Sequence, residues 1–422
     1  MSTGLKYIKN STKELLGMNK KINDFKFFEK RINSADIILR RELIDWGNYM
    51  LHKTEFIEDD ENYITSPDPV VRQGYELKKD CLQKFRNKYY QAIKRIKFLI
   101  HVPTAGQTVA GCSLFSNLAS GLQFLGADVK KFYTGMDIKP LLDSFKPDVL
   151  MTSDNDAYID SIDWRCVEEY RKKRRLLLGL TASLKEYGNT SLAKRIKRAG
   201  KLGVDFFYSF RVPEYFMHNI KYEPFYEYTD NIFSIEYGAN PLLYYPLPFI
   251  ERDINYVFLG TCSSSKTERY SAYFGRIFEK HTGVYDGPGW NNIKDFELKP
   301  SRDRYIYARG KIGLNLHINN QINCSSELNE RTYILSMCGI PQLVDNPGLL
   351  KERFTPDSLF QAGNPDEYYE LFLYILNHRD EAVKRSLNSQ KIVFEKHTSF
   401  HRGEALLKKL FPLLELEMKE IN

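Results

Sequence analysis

Three stretches have residue types and spacing suited to handling an anion. In Glu327-Leu328-Asn329-Glu330-Arg331, polar and charged side chains crowd the start of a helix-like run that stops at Cys338-Gly339-Ile340-Pro341. The free N–H groups and dipole at such a start favour a phosphate, and Arg331 can neutralise charge building on a departing group without a metal. A surface ion pair between Arg331 and Glu327 is the plainer alternative. In Gly260-Thr261-Cys262-Ser263-Ser264-Ser265-Lys266-Thr267-Glu268-Arg269, small and hydroxyl residues follow a strand and open a helix. Their backbone N–H groups, with Lys266 and Arg269, suit a diphosphate, although the Gly-Lys-Ser/Thr ending of a Walker loop is missing. Residues 311–319 alternate in part, which gives Asn315 and His317 to one side of a strand; His317 is either a ligand contact or a structural histidine.

Two further runs read both ways. Tyr285-Asp286-Gly287-Pro288-Gly289-Trp290 is a rigid turn in which Gly287 and Gly289 let backbone approach a ligand, while Trp290 is an aromatic contact or a core plug. Asp154-Asn155-Asp156, after Val149-Leu150-Met151, has the form of a divalent-metal ligand pair, but also of an ordinary strand-to-loop turn. No Ser-His-Asp set, activated cysteine or His/Cys metal cluster is legible.

These residues need a scaffold, and the apolar pattern supplies one from residue 95 onward. A compact strand at 96–102, a Gly-containing loop, a helix around 114–125 and a strand restarting at Gly126 form the opening βαβ unit of a parallel sheet. Further apolar strands follow at 148–151, 176–180 and 204–208. A second series starts at 254–260 and runs through the 311–317 strand, the Glu327 stretch and helices at 366–377 and the C-terminus. Gly339 is placed for a left-handed helix stop that Pro341 enforces. Two such halves in sequence imply a cleft at the carboxyl ends of both sheets. Residues 1–94 are helical in pattern instead. Leu39, Leu43, Trp46 and Met50 share one face, and a second helix over 72–94 lines Leu77, Cys81, Phe85, Tyr89 and Ile93 against a basic remainder. That basic face, like the run 171–175, is a membrane or partner contact or simply a solvated face on a packed helix.

Composition narrows the class. The 422 residues suffice for two or three domains, with 42% hydrophobic and 27% charged residues. A net charge of +7 is too small and dispersed for a dedicated nucleic-acid binder, yet compatible with anionic small molecules or an acidic membrane surface. Six scattered cysteines without a CxxC pair argue against zinc and disulfides and for a reducing cytoplasm. The opening residues lack the apolar core of a signal peptide, and no run approaches the ~18 apolar residues of a membrane span.

The stretch from Ser325 to Asp345 also resembles the signature of CgeB-like (spore-maturation-type) glycosyltransferases, a GT-B family: a polar-Arg-Thr-aromatic opening, a small-residue helix, Cys-Gly, and a strand ending in Asp. Residues 311–354 carry most of the likeness, with weaker matches back to Arg95. The resemblance implies an α/β protein of GT-B class with two Rossmann-like domains facing a cleft and a helical N-terminal extension. Its domains would be 1–94 (extension), 95–247 (acceptor side), 248–400 (nucleotide-sugar donor side) and 401–422, a last helix crossing back to the first domain. Donor contacts would come from Gly260, Thr261, Lys266, Arg269, Gly287, Gly289, Trp290, His317, Glu327, Asn329, Glu330 and Arg331. Asp154, Asp156 and His101 would be acceptor-side catalytic candidates, and Thr104, Gly106 and Thr108 would bind the acceptor. Where such enzymes carry a ribose-holding Glu, this chain has Ile334; Glu327 or Glu330 would have to substitute.

The expectation is therefore transfer of a sugar from a nucleotide sugar to a surface glycan, lipid-linked saccharide or protein, with no cofactor, metal or nucleic acid. The setting would be cytoplasmic, with peripheral membrane contact through the basic helices as an option. A catalytically silent glycan- or protein-binding module, a nucleotide-sugar epimerase and a metal-dependent GT-A transferase are the alternatives.

Overall fold

Continuous apolar strands separated by helices fold as parallel sheets covered on both faces, because each strand must bury side chains above and below. The computed structural model shows two of them. It describes residues 60–89, 96–104, 107–182, 190–213, 223–248, 250–263, 265–290, 300–325 and 327–416. The helix face of Leu39, Leu43, Trp46 and Met50, and Gly106, lie outside the described residues.

The chain divides into two compact units that interleave along the sequence, where the sequence reading has domains in series. One comprises Glu76–Leu243, Asn323–Ile334 and Lys391–Asn422; the other comprises Met1–Tyr75, Tyr244–Ile322 and Leu335–Gln390. The first holds a six-stranded sheet of β1 (Lys97–His101), β2 (Asp128–Phe132), β3 (Val149–Thr152), β4 (Leu177–Thr181), β5 (Phe206–Ser209) and β6 (Ile232–Ser234), in the order β2-β1-β3-β4-β5-β6. Every pairing is parallel, with Phe98 opposite Val149 and Gly179 opposite Phe206. All of β3 and β5 is buried. Helices start where a short polar side chain can accept a first-turn N–H. Thr108 caps Val109–Phe124, Asp137 caps Ile138–Phe145, Asp163 caps Trp164–Lys173 and Ser191 caps Leu192–Leu202.

The basic run at the end of Trp164–Lys173 is structural in part. Arg171 donates to the carbonyls of Leu202 and Gly203 and pairs with Asp205. The helix expected at 72–94 begins earlier and is Pro69–Tyr89, with proline tolerated at the first position and the Asp68 carboxylate accepting from Val70 N. Its Cys81, Phe85 and Tyr89 are buried. Phe85 meets Phe400 of the terminal Ser399–Leu413 helix edge-on at 5.6 Å. Among the described residues no helix is long and apolar enough to cross a membrane.

The second unit holds β7 (Tyr256–Leu259), β8 (Gly283–Asp286), β9 (Gly313–Asn315), β10 (Gln342–Asp345) and β11 (Phe360–Ala362), in the order β11-β10-β9-β7-β8, again all parallel. An aromatic core of Tyr256, Phe258, Phe274, Phe278, Trp290 and Phe372 packs the Thr267–Lys280 and Pro365–Asn377 helices against it.

Candidate functional site

In the five-stranded unit, β7 runs into the 260–266 loop, which opens the Thr267–Lys280 helix. Arg269 sits in the first turn. Its Nε donates to the His317 carbonyl at 3.0 Å, its Nη2 pairs with Asp345 at 2.6 Å, and the guanidinium lies over the Tyr273 ring. Asp345 ends β10 and is 1% exposed. Its other oxygen meets His317 Nδ1 at 2.6 Å, while the His317 backbone N–H donates to the oxygen that Arg269 pairs with. Burial alone would push the Asp345 carboxyl up, but the bonds from His317 and Arg269 outweigh it and hold it below the ordinary range. Three segments are thus tied at the carboxyl ends of β7, β9 and β10, the usual ligand end of an open parallel sheet. The cluster fixes the His317 ring and leaves Arg269 partly exposed (21%). Lys266 Nζ donates to the Thr261 carbonyl, the same loop seen from its other end. Sequence reasoning named Arg269 and His317 separately; Asp345, which joins them, was legible only as the end of a strand.

The 285–290 turn is different from what its glycines suggested. Gly287 (φ +135°) and Gly289 (φ +89°) do face backbone, but it is the protein's own. A Cβ at Gly287 would press on Gly260 and one at Gly289 on the Cys262 carbonyl. Gly260 N donates to Asp286 O, and Cys262 N to Pro288 O. Trp290 is fully buried, with Nε1 donating to the Gly260 carbonyl at 2.7 Å. Trp290 is a core plug bracing the 260–262 loop, and the two glycines serve that brace rather than a ligand.

In the six-stranded unit, the Glu327 stretch is held by the Val109–Phe124 helix. Glu330 Oε1 accepts from Ser113 Oγ at 2.9 Å and from Asn117 Nδ2 at 2.8 Å. Burial raises its carboxyl to about 7, against the opposing pull of Ser113, Asn117 and the Arg331 charge. Glu327 is buried and ion-paired to Arg211. Asn329 caps the Glu330–Met337 helix, its Oδ1 accepting from Thr332 N and Oγ1. Arg331 is half-buried. Gly339 adopts the left-handed stop (φ +67°). Glu330, Asn117, Tyr237, Phe210 and Arg402 line a shallow pocket.

The acceptor-side candidates are employed inside the unit. The Asp154 carboxylate is 2% exposed, accepts from Thr181 Oγ1 at 2.6 Å and forms an ion pair with buried Arg195. Asp156 opens the Asp156–Ile159 helix behind the Asn155 cap and pairs with Arg198 at 2.8 Å. Burial raises the Asp156 carboxyl, but hydrogen bonds from Thr190 and Arg198 and the arginine charges together bring it below the ordinary range. The run is a capped turn neutralised by two arginines, in which the candidate Asp154 is a buried ion-pair partner of Arg195. His101 is 1% exposed and stacked on Phe132 at 4.4 Å; its nitrogens meet Thr152 Oγ1 and Thr134 Oγ1. Burial lowers it to about 4, so the ring is neutral at pH 7, packed and bound to two hydroxyls. Thr104 is exposed and Thr108 is a helix cap.

Residues 273–408 match a family described as glycosyl transferase-like. No curated protein matches the sequence. An alpha-glucosyltransferase solved in complex with UDP-glucose and DNA containing an abasic site superposes with a TM-score of 0.50 at 10% identity, covering 74% of this chain and 99% of that one. A glycosyltransferase from Rickettsia africae gives 0.48 at 12% identity, covering 77% and 100%. Sucrose-phosphate synthase from Thermosynechococcus elongatus gives 0.47 at 11% identity, covering 76% and 99%. At such identities the likeness concerns the fold, which is GT-B, and the GT-A alternative falls with it. Residues 273–408 are thus similar to a glycosyl transferase-like family, within a chain whose fold has the GT-B architecture.

Proposed function

We propose that the protein is a member of the CgeB-like branch that moves a sugar from a nucleotide-sugar donor to a surface glycan, lipid-linked saccharide or protein, without a metal. The observation that carries the donor half is the Arg269–Asp345–His317 cluster at the ligand end of the five-stranded sheet. Loss of a nucleoside diphosphate builds negative charge on the leaving oxygens, and an oriented guanidinium stabilises it. A uridine nucleotide is the first donor to test, since the alpha-glucosyltransferase neighbour holds UDP-glucose. Ile334, buried where the resembled family carries a ribose-holding Glu, means that the ribose contact comes from another residue.

An inverting transfer also needs a base for the acceptor hydroxyl. Glu330, with its ionisation lifted to about 7, is matched to that task at neutral pH, as neither Asp154 nor His101 is. The test is calorimetric titration with UDP, UDP-glucose and other nucleotide sugars, with and without Mg²⁺. Metal-independent binding lost in Arg269→Ala supports the reading. Equal affinity of Arg269→Ala and wild type refutes it.

A further inference from the structure

The amino ends of the same five-stranded sheet carry a second charged cluster. Arg252 precedes β7, Lys311 precedes β9, and Arg379 opens the Arg379–Lys396 helix; the three line one pocket of about 370 Å³, its open mouth included. The rest of the wall is largely apolar, with Val70, Pro341, Ile375 and Val383, and it includes no carboxylate.

Arg252 is the fixed element. Its side chain is only 9% exposed, and Nη1 and Nη2 donate to the carbonyls of Gly310 and Gly339 at 3.0 and 2.9 Å. Those bonds use two of its five N–H donors. The Asp68 carboxylate stands 3.9 Å from Nε, beyond hydrogen-bond reach. Lys311 Nζ donates to the neutral Asn255 side chain at 3.3 Å, and the Asp253 carboxylate that feels its charge is already paired with Arg309. Arg379 is exposed and occupies the first turn of an 18-residue helix, where the dipole favours acids such as its neighbours Asp380 and Glu381 and disfavours a cation. Its charge therefore does not serve the helix. Burial and the like charge of Arg379 lower the Arg252 guanidinium, with Asp68 opposing, so the cluster feels its own repulsion. Arg252, Lys311 and Arg379 put three cations on the pocket wall, while the carboxylates around it are Asp68 beside Arg252, Asp253, which Arg309 already pairs, and Asp380 next to Arg379.

We propose that this pocket binds a phosphoryl group carried on a small apolar body, at the end of the sheet opposite the Arg269 cluster. A phosphate monoester carries close to two negative charges at neutral pH, opposite in sign to the three lining cations, and three acceptor oxygens for the open guanidinium donors. The apolar wall takes the organic part. A free phosphate monoester and the headgroup of a phosphatidic acid share this chemistry.

The test is calorimetry on the full chain with n-butyl phosphate, and co-sedimentation with phosphatidylcholine vesicles containing or lacking phosphatidic acid. Binding of n-butyl phosphate that weakens at least tenfold in Arg379→Glu and several-fold in Lys311→Ala, but not in Arg269→Ala, supports the site and a soluble ligand. Binding confined to phosphatidic acid vesicles, with the same mutant pattern, supports the site and a lipid source. Absence of binding to both, or affinity indifferent to Arg379→Glu and Lys311→Ala, overturns the proposal. Arg379 is exposed, so its variant should fold; should it not, Lys311→Ala alone decides by the same criterion.

Discussion

Replacing Glu330 by Gln keeps the shape and the acceptor oxygen that Ser113 and Asn117 address, while removing the titration. The carboxyl is raised in the folded protein from the ordinary 4.5 to about 7, so the folded state binds this proton more tightly than the unfolded chain. Its contribution to stability is fully present below pH 4.5, declines as pH rises, and is lost above about 7. At 1.36 kcal/mol per pKa unit the whole swing is about 3 kcal/mol. Because part of the side chain still reaches water, about 1–3 kcal/mol is the range to expect. The assay is urea unfolding of wild type and Glu330→Gln at pH 4.5 and pH 8. Taking the difference between proteins at each pH cancels the other titrating groups. The variant should gain on wild type by that amount at pH 8 relative to pH 4.5. A difference independent of pH would refute the raised carboxyl. A wild type favoured at pH 8 would show an ionised, stabilising glutamate and end its candidacy as a base.

Three further outcomes follow from the geometry. Asp154→Ala strands the Arg195 guanidinium in the core and should cost about 3–5 kcal/mol in urea unfolding, with nucleotide affinity of the folded fraction unchanged. Gly289→Ala sets a Cβ against the Cys262 carbonyl at a left-handed position and should destabilise by roughly 1–3 kcal/mol or more, visible as a lowered Tm. Asp345→Asn frees Arg269 and His317 and should weaken nucleotide binding about tenfold by calorimetry. The Asp345 carboxyl is depressed, so its stabilisation is present above pH 3.8 and lost as pH falls below that value; the stability gap to wild type should close there.

The sheets were legible because a strand buried on both faces announces itself as an unbroken apolar run, as in Val149-Leu150-Met151. The helix expected around 114–125 starts earlier, at Val109 behind the Thr108 cap, and the turn reading of 154–156 corresponds to the Asn155 cap. The site was less legible, for a reason visible in Asp154 and Asp345. Both are aspartates at the carboxyl end of an apolar strand, and local sequence does not distinguish them. Their partners do: Arg195 lies 41 residues from Asp154, and Arg269 lies 76 from Asp345. Similarly, the glycines of the 285–290 turn signalled close backbone approach correctly, but not which backbone approaches. The raised carboxyl of Glu330 comes from burial, which Ser113 and Asn117, more than 200 positions earlier, only partly oppose, and no local sequence signal carries it.

The packing of the Ser399–Leu413 helix on Val109–Phe124, where Phe400 stacks on Phe124 at 4.1 Å, sets a clock on synthesis. All six strands of that unit have been made by Ser234, but 179 residues separate Ser234 from Leu413. At about 5–20 residues per second, roughly 10–40 s pass before the covering helix exists. During that time the apolar face around Phe124 has no Phe400 to rest on. A truncation that removes the Ser399–Leu413 helix makes that uncovered state permanent.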